Sequence, residues 1–170
     1  MTAFPVKEPV TESQTEALIE SLAEHADRLA IHELMYRYAR MVDFREWKLF
    51  DQVFAGDATC DYVSSGGIEG TAREVMDWLD RALAPWPTNL HFVTNLSIDF
   101  EADRKSARTT CYFLGPMARG ELGNDQLVIS SSGLYVDRVR KTPEGWRITE
   151  REMRMTIMQG SLPEGYAIPD

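Results

Sequence analysis

His91 stands in an extended stretch, Leu90 to Ile98, whose residue types alternate as they do in a half-buried strand. The alternation places His91 and Asn95 on one side and mainly apolar residues on the other. A buried imidazole needs a hydrogen-bond partner, so His91 is either a satisfied core residue or a proton carrier near neutral pH. His25 and His32 lie on polar helix faces, which leaves His91 as the histidine with a buried context.

Two tyrosines are placed to assist such chemistry. Tyr38 lies in the apolar arc of a helix that runs to about Val42, and Tyr62 lies on a short strand further along the chain. Each phenol either packs in the core with its hydroxyl at the edge or donates a hydrogen bond to a leaving group or carbonyl. Both side chains are therefore candidates for the same cavity as His91.

The elements that must position these residues are helices first and strands later. A good helix-forming sequence begins at Thr11, and a capping-box spacing at Ser21 suggests that the helix restarts there. The predicted elements after that helix are a helix from Trp47 to Phe54, a strand from Ala58 to Val63, a helix from Thr71 to about Leu83, and two hairpins spanning 90–114 and 127–157. This order is typical of an α+β fold, in which helices cover one face of a curved antiparallel sheet.

Length and composition favour one globular domain. The chain has 170 residues and a mass of 19.3 kDa, and we expect a flexible N-terminal arm over residues 1–20, one domain over 21–160 and a C-terminal tail over 161–170. The formal net charge of −9 disfavours nucleic acid and anionic membrane as partners, because both require basic side chains. The expected partner is a small molecule.

The expected compartment is the cytoplasm. No apolar run approaches the length of a membrane span, and Lys7-Glu8 interrupts the region where a signal peptide would be apolar. Cys60 and Cys111 lie in strand-like segments without a metal-binding or redox spacing, so we expect reduced, buried thiols. The histidines lack metal-ligand spacing and no phosphate-binding glycine motif occurs, so neither a metal nor a cofactor is predicted.

The order of these motifs resembles the SnoaL-like proteins of the nuclear-transport-factor-like superfamily. The resemblance rests on the amphipathic helix from Tyr38 to Asp43, the Phe50–Phe54 helix, the Asp57–Val63 strand, His91-Phe92-Val93-Thr94-Asn95 and the closing Gly145-Trp146-Arg147-Ile148. It covers roughly residues 25 to 158. It implies a cone-shaped α+β barrel whose concave face is covered by three to four N-terminal helices, and it suggests a homotrimer, with a dimer as the alternative.

Within the superfamily the chain is most similar to scytalone dehydratase, hexachlorocyclohexane dehydrochlorinase and the bile-acid dehydratases. Those enzymes carry an aspartate at the end of the first long helix and a histidine at the start of a later strand, and Asp43 and His91 match these positions. Continued as an ideal helix, Asp43 would point to the polar side. The hypothesis therefore requires the helix to end near Val42 and the chain to turn inward, with Phe44 and Trp47 favouring the turn.

The remaining candidates are substrate contacts. Asn95 lies on the His91 face and either binds a substrate oxygen or satisfies a neighbouring backbone group. Arg154 is a candidate for pairing with an anionic substrate group or for orienting Asp43. Arg147 and Arg151 have the opposite parity on that strand, and a bulge would exchange the two faces.

These features predict a cofactor-independent lyase of the dehydratase type, or an isomerase, that acts on a small apolar cyclic molecule such as a steroid, polyketide or terpenoid-like compound. His91 is the general base, Asp43 orients it, and Tyr38 or Tyr62 assists the leaving group or carbonyl. One alternative is a non-catalytic small subunit of a ring-hydroxylating dioxygenase, or a ligand carrier. The other is a ketosteroid-isomerase-like or epoxide-hydrolase-like enzyme that works through carboxylates.

Overall fold

The computed structural model describes residues 10–164. Within them lie three α-helices and seven strands: α1 Glu12–Asp43, α2 Phe50–Val53, β1 Phe54–Asp61, β2 Glu69–Thr71, α3 Ala72–Leu83, β3 Thr88–Asn89, β4 Phe92–Phe100, β5 Ser106–Arg119, β6 Leu127–Thr142 and β7 Gly145–Gln159. Two short 3₁₀ turns, Trp47–Leu49 and Val63–Ser65, complete the helical elements of this part of the chain. The α+β class and the two long hairpins are confirmed.

The seven strands form one curved sheet that does not close. Its order is β2-β1-β7-β6-β5, and β3 and β4 pair with successive stretches of the free edge of β5. The β1–β7 pair is parallel and the other pairs are antiparallel, which corrects the expectation of a wholly antiparallel sheet. A parallel pair needs a long connection between its strands, and residues 62–144, which include α3 and strands β2 to β6, lie between β1 and β7.

Helix α1 starts earlier than expected. Thr11 caps it, with reciprocal hydrogen bonds between Thr11 and Gln14 that form a capping box. Residues 12–20, assigned above to the arm, are therefore helical, and the helix runs through Ser21 without a break. Residues 1–9, and 165–170 of the expected tail, lie outside the described residues.

The core lies between the helices and the concave face of the sheet. The predicted apolar arc of α1 is buried throughout, namely Ile31, Leu34, Met35, Tyr38, Met41 and Val42. Helix α3 begins as predicted, since Thr71 and Glu74 form its capping box, and it buries Val75 and Trp78. Burial of these side chains holds the C-terminal half of α1 and one face of α3 against the strands.

Strand β4 is bulged at Asn95. The register with β5 shifts between Thr94 and Ser97, and Asn95 has a φ of 53°, a left-handed conformation that asparagine tolerates better than most residues. The bulge reverses the alternation, so that Leu96 and Ile98 turn inward while Asn95 is exposed. The predicted face shared by His91 and Asn95 is therefore wrong beyond the bulge.

Candidate active site

The C-terminus of α1 turns sharply at Arg45. Glu46 donates its backbone N–H to the Met41 carbonyl at 2.9 Å, and Arg45 donates to the Val42 carbonyl at 3.3 Å. Arg45 has a φ of 54°, the left-handed position of a Schellman motif that glycine usually occupies. Phe44 is exposed, so the predicted inward turn depends on Arg45 rather than on burial of Phe44.

The Arg45 side chain fastens this turn to the end of α3. Its guanidinium donates hydrogen bonds to the carbonyls of Val42, Leu83 at 3.0 Å and Trp86 at 3.2 Å. These carbonyls belong to helix ends and a loop, where backbone acceptors lack helical partners. Burial lowers the pKa of Arg45, although nearby Asp80 and Asp43 favour its charge. The contacts set the direction in which the last helical residue, Asp43, projects.

Asp43 binds His91 through both carboxylate oxygens. Its Oδ1 lies 2.5 Å from Nδ1 of the imidazole, and its Oδ2 accepts the backbone N–H of His91 at 2.9 Å. Both side chains are largely buried, with exposed fractions of 13% for His91 and 10% for Asp43. Because Asp43 accepts from Nδ1, the neutral imidazole carries its proton there and presents the lone pair on Nε2.

His91 occupies the break between β3 and β4. Asn89 pairs with Met117 and Phe92 with Leu114, so the interpolated register sets His91 opposite Gly115. At this break the N–H of His91 leaves the ladder and is donated to Asp43. The same carboxylate thus accepts the backbone N–H that the strand break leaves without a partner in the sheet, and it orients the imidazole ring.

His91 forms part of the wall of a cavity of about 240 Å³. The other lining residues are mostly apolar and come from α1, the 3₁₀ turn after β1, α3 and the loop after it, the sheet, and the segment after β7: Tyr38, Tyr62, Ser65, Trp78, Leu79, Ala82, Leu83, Trp86, Gly115, Met117, Ile129, Ser131, Tyr135, Met153, Met155, Met158 and Leu162. Asp43 is not among them. It therefore acts on the cavity only through His91.

Three buried tyrosines form a second polar group on the cavity wall. The hydroxyls of Tyr38 and Tyr62 lie 2.5 Å apart, and the Tyr38 ring packs edge-on against that of Tyr135, with 5.5 Å between the ring centroids. Burial raises the pKa of Tyr38, with partial compensation by the Arg151 cation, and raises those of Tyr62 and Tyr135 well above the usual value. The phenols therefore remain protonated at neutral pH, able to donate hydrogen bonds.

A fully buried ion pair lies beneath the tyrosines. Arg151 donates to both carboxylate oxygens of Asp137, at 2.8 and 2.7 Å, and its guanidinium carbon lies 3.9 Å from the Tyr38 ring centroid and 4.3 Å from that of Tyr135. Burial alone would lower the pKa of Arg151, but Asp137 outweighs it and raises the pKa well above its usual value. A fixed positive charge therefore supports the phenol cluster.

The two predicted substrate contacts lie elsewhere. Asn95 is exposed at the bulge of β4, and Arg154 is exposed and pairs with Glu152 at 2.6 Å. Neither lines the cavity. Irregular register in β7, at residues 148–150 and 155–157, leaves Arg151 and Met153 facing inward, so the alternation assumed for Arg154 does not hold.

Tyr135 and Asp137 were not predicted as members of the site, and Arg151 was named only as a residue that a bulge in its strand would bring to the other face. Strand β6 alternates strictly at Gly133, Tyr135 and Asp137, which is the signal that could have placed Tyr135 and Asp137 on one face. That Asp137 would meet Arg151 depended on the register between β6 and β7. Predicting such a buried pair requires knowledge of the neighbouring strand.

No group of three or more His, Cys, Asp or Glu side chains in residues 10–164 is arranged to hold a metal ion. Over the same residues, no helix combines the length and apolar character of a membrane span.

Comparison with known proteins identifies the family. The SnoaL-like domain matches residues 23–152. The chain belongs to the SnoaL-like family. An uncharacterized protein of Mycobacterium tuberculosis, Rv2910c, is 36% identical over 131 residues, which cover 77% of this chain and 86% of the relative.

Solved structures share the fold of this SnoaL-like protein. A protein of Novosphingobium aromaticivorans provisionally named an aromatic ring hydroxylase is 26% identical with a TM-score of 0.68, covering 80% of this chain and 94% of that one. One from the same organism, provisionally named a scytalone dehydratase, is 20% identical with a TM-score of 0.68 and coverage of 86% and 99%. Hexachlorocyclohexane dehydrochlorinase LinA-type3 of Novosphingobium barchaimii is 19% identical with a TM-score of 0.68 and coverage of 88% and 99%. The predicted resemblance is confirmed at the level of fold and family.

Proposed function

We propose that this SnoaL-like protein is a cofactor-independent lyase of the dehydratase type, or an isomerase, that acts on a small apolar cyclic substrate. The observation that carries the proposal is the hydrogen bond of 2.5 Å between His91 and Asp43, with His91 on the wall of an apolar cavity. An imidazole that is oriented by a carboxylate and faces a substrate site has the arrangement of a general base.

The first step is removal of a proton from a carbon next to a carbonyl or comparable activating group. The Nε2 lone pair of His91 takes the proton, and Asp43 stabilises the imidazolium that results. The electron pair left on carbon moves toward the activating oxygen. The protonated phenols of Tyr38, Tyr62 and Tyr135 are hydrogen-bond donors for that developing charge, and buried Arg151 reinforces them.

Elimination and isomerisation share this step and differ in the next. In elimination the electron pair returns to form a carbon–carbon double bond, and a β-hydroxyl leaves as water after receiving a proton from the imidazolium or a phenol. In isomerisation the imidazolium returns its proton to a different carbon. Both routes need only protons already present in the site.

The alternative of a non-catalytic small subunit draws support from the neighbour provisionally named an aromatic ring hydroxylase. Co-purification with a larger oxygenase chain would favour it. The alternative in which carboxylates do the chemistry draws less support. Among residues 10–164, no Asp or Glu lines the cavity that contains His91.

Exchange of an activated proton tests the proposal. In deuterated water the wild-type protein should exchange the α-protons of 2-tetralone, a neutral two-ring ketone, faster than solvent alone. Asp43→Asn and His91→Ala should each reduce the catalysed rate by about 10² to 10⁴-fold. Both variants should still show a cooperative thermal unfolding transition like that of wild type. Asp99→Asn and His32→Ala, which alter residues outside the cavity lining, serve as matched controls. Equal rates for all variants would refute the proposal.

We also propose that the protein is a homo-oligomer, with a trimer favoured over a dimer. The outer face of the sheet exposes the large apolar side chains of Phe92, Tyr112, Leu114 and Ile157. Phe92 pairs with Leu114, and Ser132 lies between Leu114 and Ile157, so three of them share one row. An exposed apolar patch of this kind is typical of an interface.

We place the activity in the cytoplasm. Cys60 and Cys111 are free thiols in the core, as is usual in a reducing compartment. Burial raises the pKa of Cys60 to about 12 and that of Cys111 to about 11, so both remain protonated. Neither thiol is suited to act as a nucleophile at neutral pH.

A further inference from the structure

One row of residues runs along the cavity wall from the break between β3 and β4 across β5, β6 and β7. His91 lies opposite Gly115 by interpolation between paired residues, Gly115 pairs with Ser131, and Ser131 pairs with Met158. All four line the cavity. Along the row, the imidazole of His91 is followed by Gly115, which has no side chain, then by the hydroxyl of Ser131 and the thioether of Met158.

Gly115 leaves an open floor between His91 and Ser131. A Cβ built at this position would lie 3.5 Å from the Ser131 hydroxyl oxygen and 3.7 Å from the Ser131 carbonyl oxygen, which are ordinary contact distances. Gly115 has no left-handed φ that would require glycine. The fold therefore tolerates a side chain here, and the space that glycine leaves empty belongs to the cavity.

Ser131 places a free hydroxyl at the other end of this floor. Its side chain has no hydrogen bond to any residue from 10 to 164, whereas Ser65, the other cavity serine, donates to the Tyr62 carbonyl at 2.8 Å. Two strand spacings, about 10 Å, separate the Ser131 backbone from that of His91. This distance suits a ring system held between the two side chains.

The size and charge of the cavity narrow the ligand further. Within the described residues no Lys, Arg, Asp or Glu lines it, so a charged substrate group would be buried without a partner. Its volume of about 240 Å³ lies between the roughly 150 Å³ cavity that holds benzene and the roughly 300 Å³ at which drug-sized sites begin. One or two fused rings fit this range, and a four-ring steroid would extend beyond it.

We propose that the site takes a neutral one- or two-ring compound seated over Gly115, with its reacting carbon at His91 and an oxygen substituent at its far end hydrogen-bonded to Ser131. Ser131 is then a specificity-determining residue, and Gly115 determines the thickness of the ring that enters. This inference deepens the proposed function and rests on the same site.

Binding of two matched probes tests the inference. 6-Hydroxy-1-tetralone carries oxygens at opposite ends of two rings, and 1-tetralone lacks the far hydroxyl. Quenching of tryptophan fluorescence reports binding, since Trp78 and Trp86 line the cavity. Wild type should bind the hydroxylated probe about tenfold more tightly. Ser131→Ala should bind both probes equally, and Ser132→Ala, which lies outside the cavity lining, should behave as wild type.

The space above Gly115 is tested with two further variants. Gly115→Val should weaken binding of both probes, and Gly115→Ala should weaken it less. If the valine variant does not fold, binding by the alanine variant alone tests the prediction. A preference for the hydroxyl that persists in Ser131→Ala would overturn the inference. So would tighter binding of testosterone or 2-naphthoate than of the tetralones, or no tetralone binding. If the binding preferences hold but the rate of proton exchange is the same in wild type, Asp43→Asn and His91→Ala, only the proposed function is refuted.

Discussion

At the scale of residues, the site depends on two hydrogen bonds between one aspartate and one histidine. Asp43 holds the ring nitrogen and the backbone N–H of His91 together, so that rotation of either side chain would break a bond. Separately, Tyr38 hydrogen-bonds Tyr62 and packs against Tyr135 above Arg151. In the proposed reaction the first group takes a proton through His91, and the second stabilises negative charge.

The three clustered tyrosines should ionise at a higher pH than exposed tyrosines in an alkaline titration. The raised pKa values mean that the folded state resists ionisation of Tyr38, Tyr62 and Tyr135, three of the six tyrosines, above the usual value of about 10. The unfolded chain loses these protons first, so stability falls as pH rises above that value. Ultraviolet absorbance of tyrosinate should show that these three ionise only together with unfolding. Ionisation of all tyrosines in the native state would contradict this.

At the scale of elements, the position of Asp43 depends on how α1 ends. Arg45 occupies a left-handed conformation and joins the carbonyls at the ends of α1 and α3 through its guanidinium. A non-glycine residue in this conformation lowers the free energy of unfolding by about 1 to 2 kcal/mol. The three hydrogen bonds of its side chain offset that cost.

Replacement of Arg45 separates these contributions. Arg45→Ala should lower the free energy of unfolding by about 2 to 3 kcal/mol, because three backbone carbonyls lose a charged donor. Arg45→Gly should recover about 0.5 to 1 kcal/mol of that loss, since glycine adopts the left-handed conformation without strain. Urea denaturation measures both. Both variants should also exchange substrate protons more slowly, because Asp43 is less firmly oriented. An alanine variant as stable as wild type would refute this role.

Local patterns could be predicted from sequence, and pairings between strands could not. The buried arc of α1 and the cap of α3 follow from residue types within one element. Asn95 and Arg154 were misplaced because bulges in β4 and β7 reverse the alternation. Asp43 could be matched to His91 only through the family resemblance, since the Schellman turn at Arg45 lacks the usual glycine.

At the scale of the whole molecule, the curved sheet has two different faces. The concave face carries the core and the cavity, and the outer face exposes an apolar patch around Leu114. The parallel β1–β7 pair brings the first and the last strand of the sheet side by side. The described residues of one chain line the cavity, and the exposed patch on the outer face is the surface proposed for assembly.

The patch should control the oligomeric state without altering the site. Leu114→Glu places a charge in the middle of the proposed interface and should shift the protein to a monomer in analytical ultracentrifugation. Leu122→Glu makes the same change at an exposed loop position and should leave the assembly intact. Retention of the oligomer by the Leu114 variant would exclude this face as the interface.

In the proposed site, Asp43 holds His91 in the Nδ1-protonated form with Nε2 free toward the cavity. Proton–nitrogen correlation spectra of the three histidine rings, with the His91 signals assigned from His91→Ala, measure this without any substrate. We expect His91 in its neutral form to carry its proton on Nδ1, protected from exchange, and to lose that protection in Asp43→Asn. A His91 ring protonated on Nε2, or one indifferent to Asp43→Asn, would contradict the account.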